Sequence, residues 1–241
     1  MPFIHINYEE VNKINIIVIV PVYNDRETIG KVIDELSRAG YDNILIVDDG
    51  STQDIFHEVC NRNVHYLRHI INMGQGAALQ TGFKYAINHN AEFVITFDAD
   101  GQHDVDDIVL LLKPVMNNEV DVVLGSRFLN KSHDGIKFTR LFILKLARVV
   151  NFFFSGIYLS DAHNGLRAFN RKAIESIRIT ENRMSHASEI IFEIRKHQLR
   201  HKEIPVNIRY TTYSKTKGQS GWNSIRILMD IIIHKLSNKL L

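Results

Sequence analysis

The chain has 241 residues, 45% hydrophobic and 23% charged, with a net charge of +2 and a single cysteine, Cys60. That length and apolar content support a substantial core, as one large domain or a domain with an appendage, and exclude a disordered chain. One cysteine excludes an internal disulfide and a cysteine-built zinc site, which fits a reducing cytoplasm.

Ile14 to Val20 is a near-continuous apolar run that predicts a buried strand. It is preceded by Tyr8-Glu9-Glu10 and lacks a small-residue cleavage site, so it does not read as a signal peptide. Pro21 to Asp25 breaks the run, and Glu27 to Ala39 has helical spacing ending at Gly40. A second strand is expected at Ile44 to Val47, a turn with helix-capping residues at Asp48 to Thr52, a short helix at Thr52 to Cys60 and a third strand at Val64 to Leu67. Gly74 to His89 reads as a helix entered through a glycine-rich turn.

Phe93 to Phe97 is the next strand, too short and too β-branched for a helix, and it runs into Asp98-Ala-Asp100-Gly-Gln102. In an extended segment positions i and i+2 share a face, so Asp98 and Asp100 can present their oxygens together. Two hard oxygen ligands suit Mg²⁺ or Mn²⁺, ions that keep waters and take further ligands from substrate phosphates. A strand followed by an acidic surface turn reads the same way when these residues are taken alone. A helix from Val105 to Met116 and a strand at Val120 to Leu124 complete repeated β-α-β units, hence an α/β fold with a mainly parallel sheet covered by helices on both faces. The loops after the first, second and fourth strands then line one crevice at the carboxyl edge of the sheet.

The second half differs. Residues 1–130 carry 9 Lys and Arg against 19 Asp and Glu, and residues 131–241 carry 20 against 8. The first half suits a bound cation and the second suits phosphate or an anionic surface, while a solvated basic surface reads alike. No nucleic-acid-binding signature is present. Lys137 to Leu159 and Trp222 to Leu241 mix large apolar residues with cations, a pattern shared by helices lying in a membrane interface and by buried helices. No run approaches the ~18 apolar residues that span a bilayer.

Six motifs carry a family resemblance: Val20-Pro-Val-Tyr-Asn24, Val47-Asp-Asp-Gly-Ser51, Gly74-Gln-Gly-Ala-Ala-Leu79, Asp98-Ala-Asp-Gly-Gln102, Gly125-Ser-Arg-Phe128 and Asp161-Ala-His-Asn-Gly-Leu-Arg167. In this order they resemble the family-2 glycosyltransferases, and within them the dolichyl-phosphate mannose and polyprenyl-phosphate sugar synthases, over residues 14–220. The resemblance implies a GT-A catalytic domain over 1–220, followed by an amphipathic helix at 221–241. It implies a divalent cation, Mg²⁺ or Mn²⁺, held by Asp98, Asp100 and Gln102, with Gln102 acting directly or through water. Pro21, Tyr23 and Glu27 would border the base and ribose of a UDP or GDP sugar, and Asp49 would read one of them. Gly74 and Gly76 would let backbone N–H groups approach the donor, or form a plain helix-entry turn. Arg127 and Arg140 match arginines that hold a lipid phosphate, and Arg209, Ser214 and Lys215 match a basic segment closing over the donor diphosphate.

The implied reaction moves one sugar, with inversion, to a polyprenyl phosphate at the cytoplasmic face of the membrane. A polyprenyl phosphate brings an ionised nucleophile and needs cationic positioning more than a general base. Were the acceptor a sugar hydroxyl, as in polysaccharide or glycolipid assembly, a base would be required and Asp161 is the first candidate. Otherwise Asp161 and Arg167 read as site-shaping residues or a buried ion pair. A noncatalytic sugar-nucleotide-binding subunit is the remaining alternative. Membrane attachment would come from the two amphipathic stretches or from a small membrane-protein partner. His186 and Glu189 read as structural. The third glycine of a dinucleotide fingerprint, a G-x-x-x-x-G-K-[ST] loop and the Q-x-x-R-W signature of processive synthases are all missing, which argues against a Rossmann dehydrogenase, a P-loop ATPase and a chain polymerase.

Overall fold

A computed structural model describes residues 15–129, 152, 156–181 and 186–209. The elements in chain order are β1 (Ile16–Val22), α1 (Arg26–Arg38), β2 (Ile44–Asp48), α2 (Phe56–Val59), β3 (His65–Arg68), α3 (Gln75–Asn88), β4 (Phe93–Thr96), α4 (Asp107–Met116), β5 (Val122–Ser126), β6 (Arg167–Asn170), α5 (Arg171–Ser176), α6 (His186–Lys196) and β7 (His201–Pro205). The seven strands form one sheet in the order β3-β2-β1-β4-β6-β5-β7. All neighbours pair in parallel except β6, which runs antiparallel to both β4 and β5.

β1 is apolar throughout because both its faces are covered. Ile16, Val18, Val20 and Val22 pack with Ile29, Val32, Ile33 and Leu36 of α1 and Ile108, Leu111 and Val115 of α4. Ile17 and Ile19 belong to the opposite layer, with Leu79 and Phe83 of α3, Ile174 of α5 and Ile190 and Ile194 of α6. This is the period-two signature of a parallel strand sandwiched between helices. The two edge strands, His65-Tyr-Leu-Arg68 and His201-Lys-Glu-Ile-Pro205, are polar and half-exposed, as edges that must resist pairing with other chains tend to be.

The expected helices and first five strands are present, with ends shifted by a few residues and the helix at 52–60 reduced to Phe56–Val59. β6 and β7 were not anticipated from the sequence. The stretch at 137–159 lies almost wholly outside the described residues, and that at 222–241 entirely so; Arg140, Ser214 and Lys215 lie outside them too. Among the described residues no helix is long and apolar enough to cross a membrane.

The chain winds outward from β1 through β2 to β3, then returns through α3 to place β4 on the other side of β1. The order of winding therefore reverses between β1 and β4, and in open α/β sheets ligands bind beyond the carboxyl ends of strands at such a reversal.

Candidate active site

Two loops flank that reversal: residues 23–25 after β1 and 97–102 after β4. Pro21 pairs in register with Val47 of β2 and is buried. It shares the parity of Ile19, whose carbonyl accepts from Phe97 N, so its missing N–H would have faced the side where β4 has already ended. A proline is tolerated there at no loss of a ladder bond. Tyr23 is exposed at 43%, and Glu27 is exposed in the first turn of α1. Asn24, in a left-handed conformation, accepts from Thr52 N and Gln53 N and receives Ser51 Oγ at its own N–H, so the ends of β1 and β2 are tied together.

Asp48 and Asp49 are both buried, and their partners are protein groups. Asp48 accepts from Ser51 N (2.9 Å) and Tyr66 Oη (2.7 Å). Asp49 accepts from Met73 N (3.0 Å) and Gly74 N (2.6 Å) and meets His69 Nδ1 at 2.7 Å. Asp49 thus anchors the turn into α3, a task the resemblance did not suggest. Gly76 is also accounted for by packing, because a Cβ there would overlap the Glu181 carbonyl oxygen and crowd His186. Glu189 accepts from Thr180 N and Glu181 N at the same junction, in keeping with a structural reading.

Past β4, Ala99 is buried in the core while Asp98 and Asp100 on either side remain half-exposed. Asp98 Oδ1 accepts from Gln75 Nε2 at 2.9 Å and Oδ2 meets His103 Nε2 at 3.0 Å. Asp100 Oδ1 accepts from Gln102 N at 3.0 Å and Oδ2 from Gln102 Nε2 at 2.6 Å. Burial and the charge of Asp98 push the Asp100 carboxyl above its usual range, outweighing the bonds from Gln102. Burial would raise Asp98 too, but the His103 bond and the positive fields of His103, His186 and Arg167 hold it below its usual range. Two carboxylates close enough to oppose each other's ionisation, with the Gln102 amide beside them, fit a hard divalent cation that completes its shell from phosphate and water. Among the described residues no group of three or more His, Cys, Asp or Glu is arranged to hold a metal by itself.

The third part is the segment 160–167. Asp161, 5% exposed, grips Arg127 through three bonds: Oδ2 accepts from Arg127 N (3.1 Å) and Nε (2.6 Å), and Oδ1 from Nη2 (2.8 Å). Burial alone would raise the Asp161 carboxyl, and the Arg127 contacts carry it below its usual range. The ion-pair partner of Asp161 is therefore Arg127. Arg167 instead donates to the carbonyls of Asn164 (2.9 Å) and Ala162 (3.1 Å), and burial lowers its pKa to about 10, so it stays cationic at neutral pH. Glu203 of β7 fixes this segment by accepting from Ser160 N (2.8 Å), Ser160 Oγ (2.7 Å) and Asp161 N (3.0 Å). Gln75, His103 and Glu203 were missed in the sequence, where nothing links them to the acids they touch.

Arg209 lies to one side. Its backbone N–H donates to Gln102 O (2.8 Å), while its guanidinium reaches Asp104 (2.7 Å) and Glu35 (3.3 Å). That places the side chain in a cleft of about 610 Å³ lined by Glu35, Arg38, Asp104, Asp106 and their neighbours, none of them Asp98 or Asp100.

A model of the family described as "Glycosyl transferase family 2" matches residues 17–178, two thirds of the chain. The chain belongs to this family. Among its relatives is a UDP-N-acetylglucosamine–dolichyl-phosphate N-acetylglucosaminyltransferase of Methanococcus voltae, 32% identical over 93% of this chain and 98% of that one. A polyprenol monophosphomannose synthase of Mycolicibacterium smegmatis is 30% identical over 67% of this chain and 63% of that one. Glucosyl-3-phosphoglycerate synthase of Mycobacterium tuberculosis, solved with Mn²⁺, UDP and glucosyl-3-phosphoglycerate, superposes with a TM-score of 0.66 over 98% of this chain and 85% of that one, at 15% identity. It shares the GT-A fold, and another structure of it contains Mg²⁺ and UDP. The family-2 glycosyltransferase described here thus has the expected mixed α/β fold and a mostly parallel sheet.

Proposed function

We propose that this glycosyltransferase moves a single sugar from a UDP or GDP donor to a polyprenyl phosphate at the cytoplasmic face of the membrane, with a divalent cation held by Asp98, Asp100 and Gln102. The observation that carries the choice of acceptor is the grip of Asp161 on Arg127. A carboxylate whose two oxygens are engaged by a guanidinium, and whose proton affinity is depressed, is a poor general base. The same grip orients Arg127, whose side chain keeps 33% of its surface open, as a cationic seat for an anion. A phosphate acceptor needs that seat and no base. The names of the relatives, which include dolichyl-phosphate and polyprenol-phosphate transferases, support this reading.

In the reaction, an oxygen of the acceptor phosphate forms the new bond to the anomeric carbon as the bond from that carbon to the nucleoside diphosphate breaks. Asp98, Asp100 and Gln102 would hold the cation, which when bound would supply positive charge against the departing diphosphate. Arg127 positions the acceptor phosphate, Asp161 fixes Arg127, and the positive charge of Arg167 favours Asp98 and Asp161 as anions. Pro21, Tyr23 and Glu27 border the base and ribose from the end of β1. Asp49 shapes that side by holding the 73–74 turn, and Gly76 lets α3 dock. Arg140 and Lys215, outside the described residues, are assigned to the acceptor phosphate and the donor diphosphate. Arg209 joins them on release from Glu35 and Asp104.

Incubation with labelled sugar nucleotides, Mn²⁺ and a short polyprenyl phosphate tests the proposal. Label entering the lipid phosphate, and none entering the matching polyprenol or a glycan, is the expected result. Transfer to a hydroxyl acceptor alone overturns it.

A further inference from the structure

Three separate elements converge on the carboxylate of Asp98. Gln75, the first residue of α3, donates to Oδ1, His103 contacts Oδ2, and the backbone of Gly165 packs so closely that a Cβ there would overlap Oδ2. The His103 ring meets Oδ2 through Nε2. Its other nitrogen, Nδ1, is buried with no hydrogen-bond partner among the described residues. Each carboxylate oxygen is thus met by one nitrogen of a neighbouring side chain.

Gln75 is aimed rather than incidental. Gly74 before it has φ +103 and no side chain to cap the helix, and its N–H is held by Asp49 Oδ2 at 2.6 Å. Asp49 at the end of β2 thus fixes the turn, and the turn directs the Gln75 amide onto Asp98 beyond β4. A neutral amide there restrains the carboxylate without adding charge. An ammonium at the same place would sit about 3 Å from Asp98 and compete with any cation for its charge.

We propose that Gln75 is a positioning residue for Asp98 and that its side chain sets the affinity of the Asp98–Asp100 pair for a divalent cation. The inference rests on the reading that this pair holds the cation, and extends it to a residue on a different element. Groups that orient metal ligands through hydrogen bonds change metal affinity by roughly 10–100-fold when removed.

The test is direct Mn²⁺ titration of the full chain with UDP present, followed by electron paramagnetic resonance or calorimetry, on wild type, Q75L, Q75K and Q75E. Q75L is expected to bind Mn²⁺ about 10-fold more weakly than wild type. Its metal-free melting temperature should stay unchanged, and its kcat should recover at saturating Mn²⁺, which a loss of fold would not allow. Q75E and Q75K, of similar length and opposite charge, are expected to differ by more than about 10-fold in Mn²⁺ affinity, Q75E binding the tighter. That comparison remains decisive even if Q75L melts early. Wild-type affinity in Q75L together with no difference between Q75E and Q75K overturns the inference while leaving the cation site standing. A wild type that binds no Mn²⁺ overturns both.

Discussion

Burial and the nearby charge of Asp98 push the Asp100 carboxyl above its usual range, so the folded, metal-free chain takes up a proton there more readily than the unfolded chain. The charged form of Asp100 therefore costs stability above that raised pKa, and the cost disappears below it or when a cation arrives. Asp100→Asn should leave the metal-free melting temperature equal to or above that of wild type while abolishing transfer; a lower melting temperature would contradict this account. Mn²⁺ affinity should also fall progressively as pH drops through the raised value, read from titrations across a series of falling pH. Asp161 is the opposite case. Its carboxyl lies below the usual range, so its contribution to stability is present above that range and lost as pH falls through the depressed value. Asp161→Asn is expected to lower stability near neutral pH by about 2 kcal/mol, read from urea unfolding midpoints, because charged hydrogen bonds to Arg127 are lost. The deficit should close in strong acid. Asp98 and Asp100 stood out in the sequence as two acids at the end of an apolar strand, but β4 ends at Thr96 and Asp100 lies in a turn, so the extended-chain argument does not describe how they meet. The pairing of Asp161 with Arg127 was not legible, because 34 residues separate them and no local pattern records which cation a buried acid meets.

The start of α3 packs closely against the backbone at 181 and the side chain of His186. A side chain at Gly76 would meet the Glu181 carbonyl, so Gly76→Ala must push the 179–186 junction away from the helix. Overpacking of this kind costs about 1–3 kcal/mol, and thermal unfolding should report it as a lower midpoint with the same cooperativity. The helices were legible where apolar residues recur at helical spacing, as Ile29, Val32, Ile33 and Leu36 do on α1. β6 and β7 were not. Arg167-Ala-Phe-Asn170 and His201-Lys-Glu-Ile-Pro205 are short and carry charge, and each becomes a strand because β4 and β5 offer it unpaired backbone groups. Strand identity here depends on the partner more than on the residues.

β6 closes the gap between β4 and β5, so the sheet is completed by a segment from the second half of the chain. A fragment ending at Leu129 would leave one edge of β4 unpaired and the sheet cut in two. Such a fragment is expected to aggregate or unfold without cooperativity, as seen by light scattering and far-ultraviolet circular dichroism, whereas a fragment folding as a stable monomer would contradict the interlocked topology. The acidic first half and basic second half are therefore not separate units. Interlocking brings Gly165 against Asp98 and Glu203 against Asp161, so residues from the second half shape the site that the first half begins. Local order of the chain was enough to determine the β-α-β rhythm and the family, because those follow from periodicity and from motifs read within a few residues. Only the tertiary structure decided which cation meets Asp161, what orients Asp98 and which strand fills the centre of the sheet. These depend on close approach between groups far apart along the chain, and short-range pattern carries no information about such contacts.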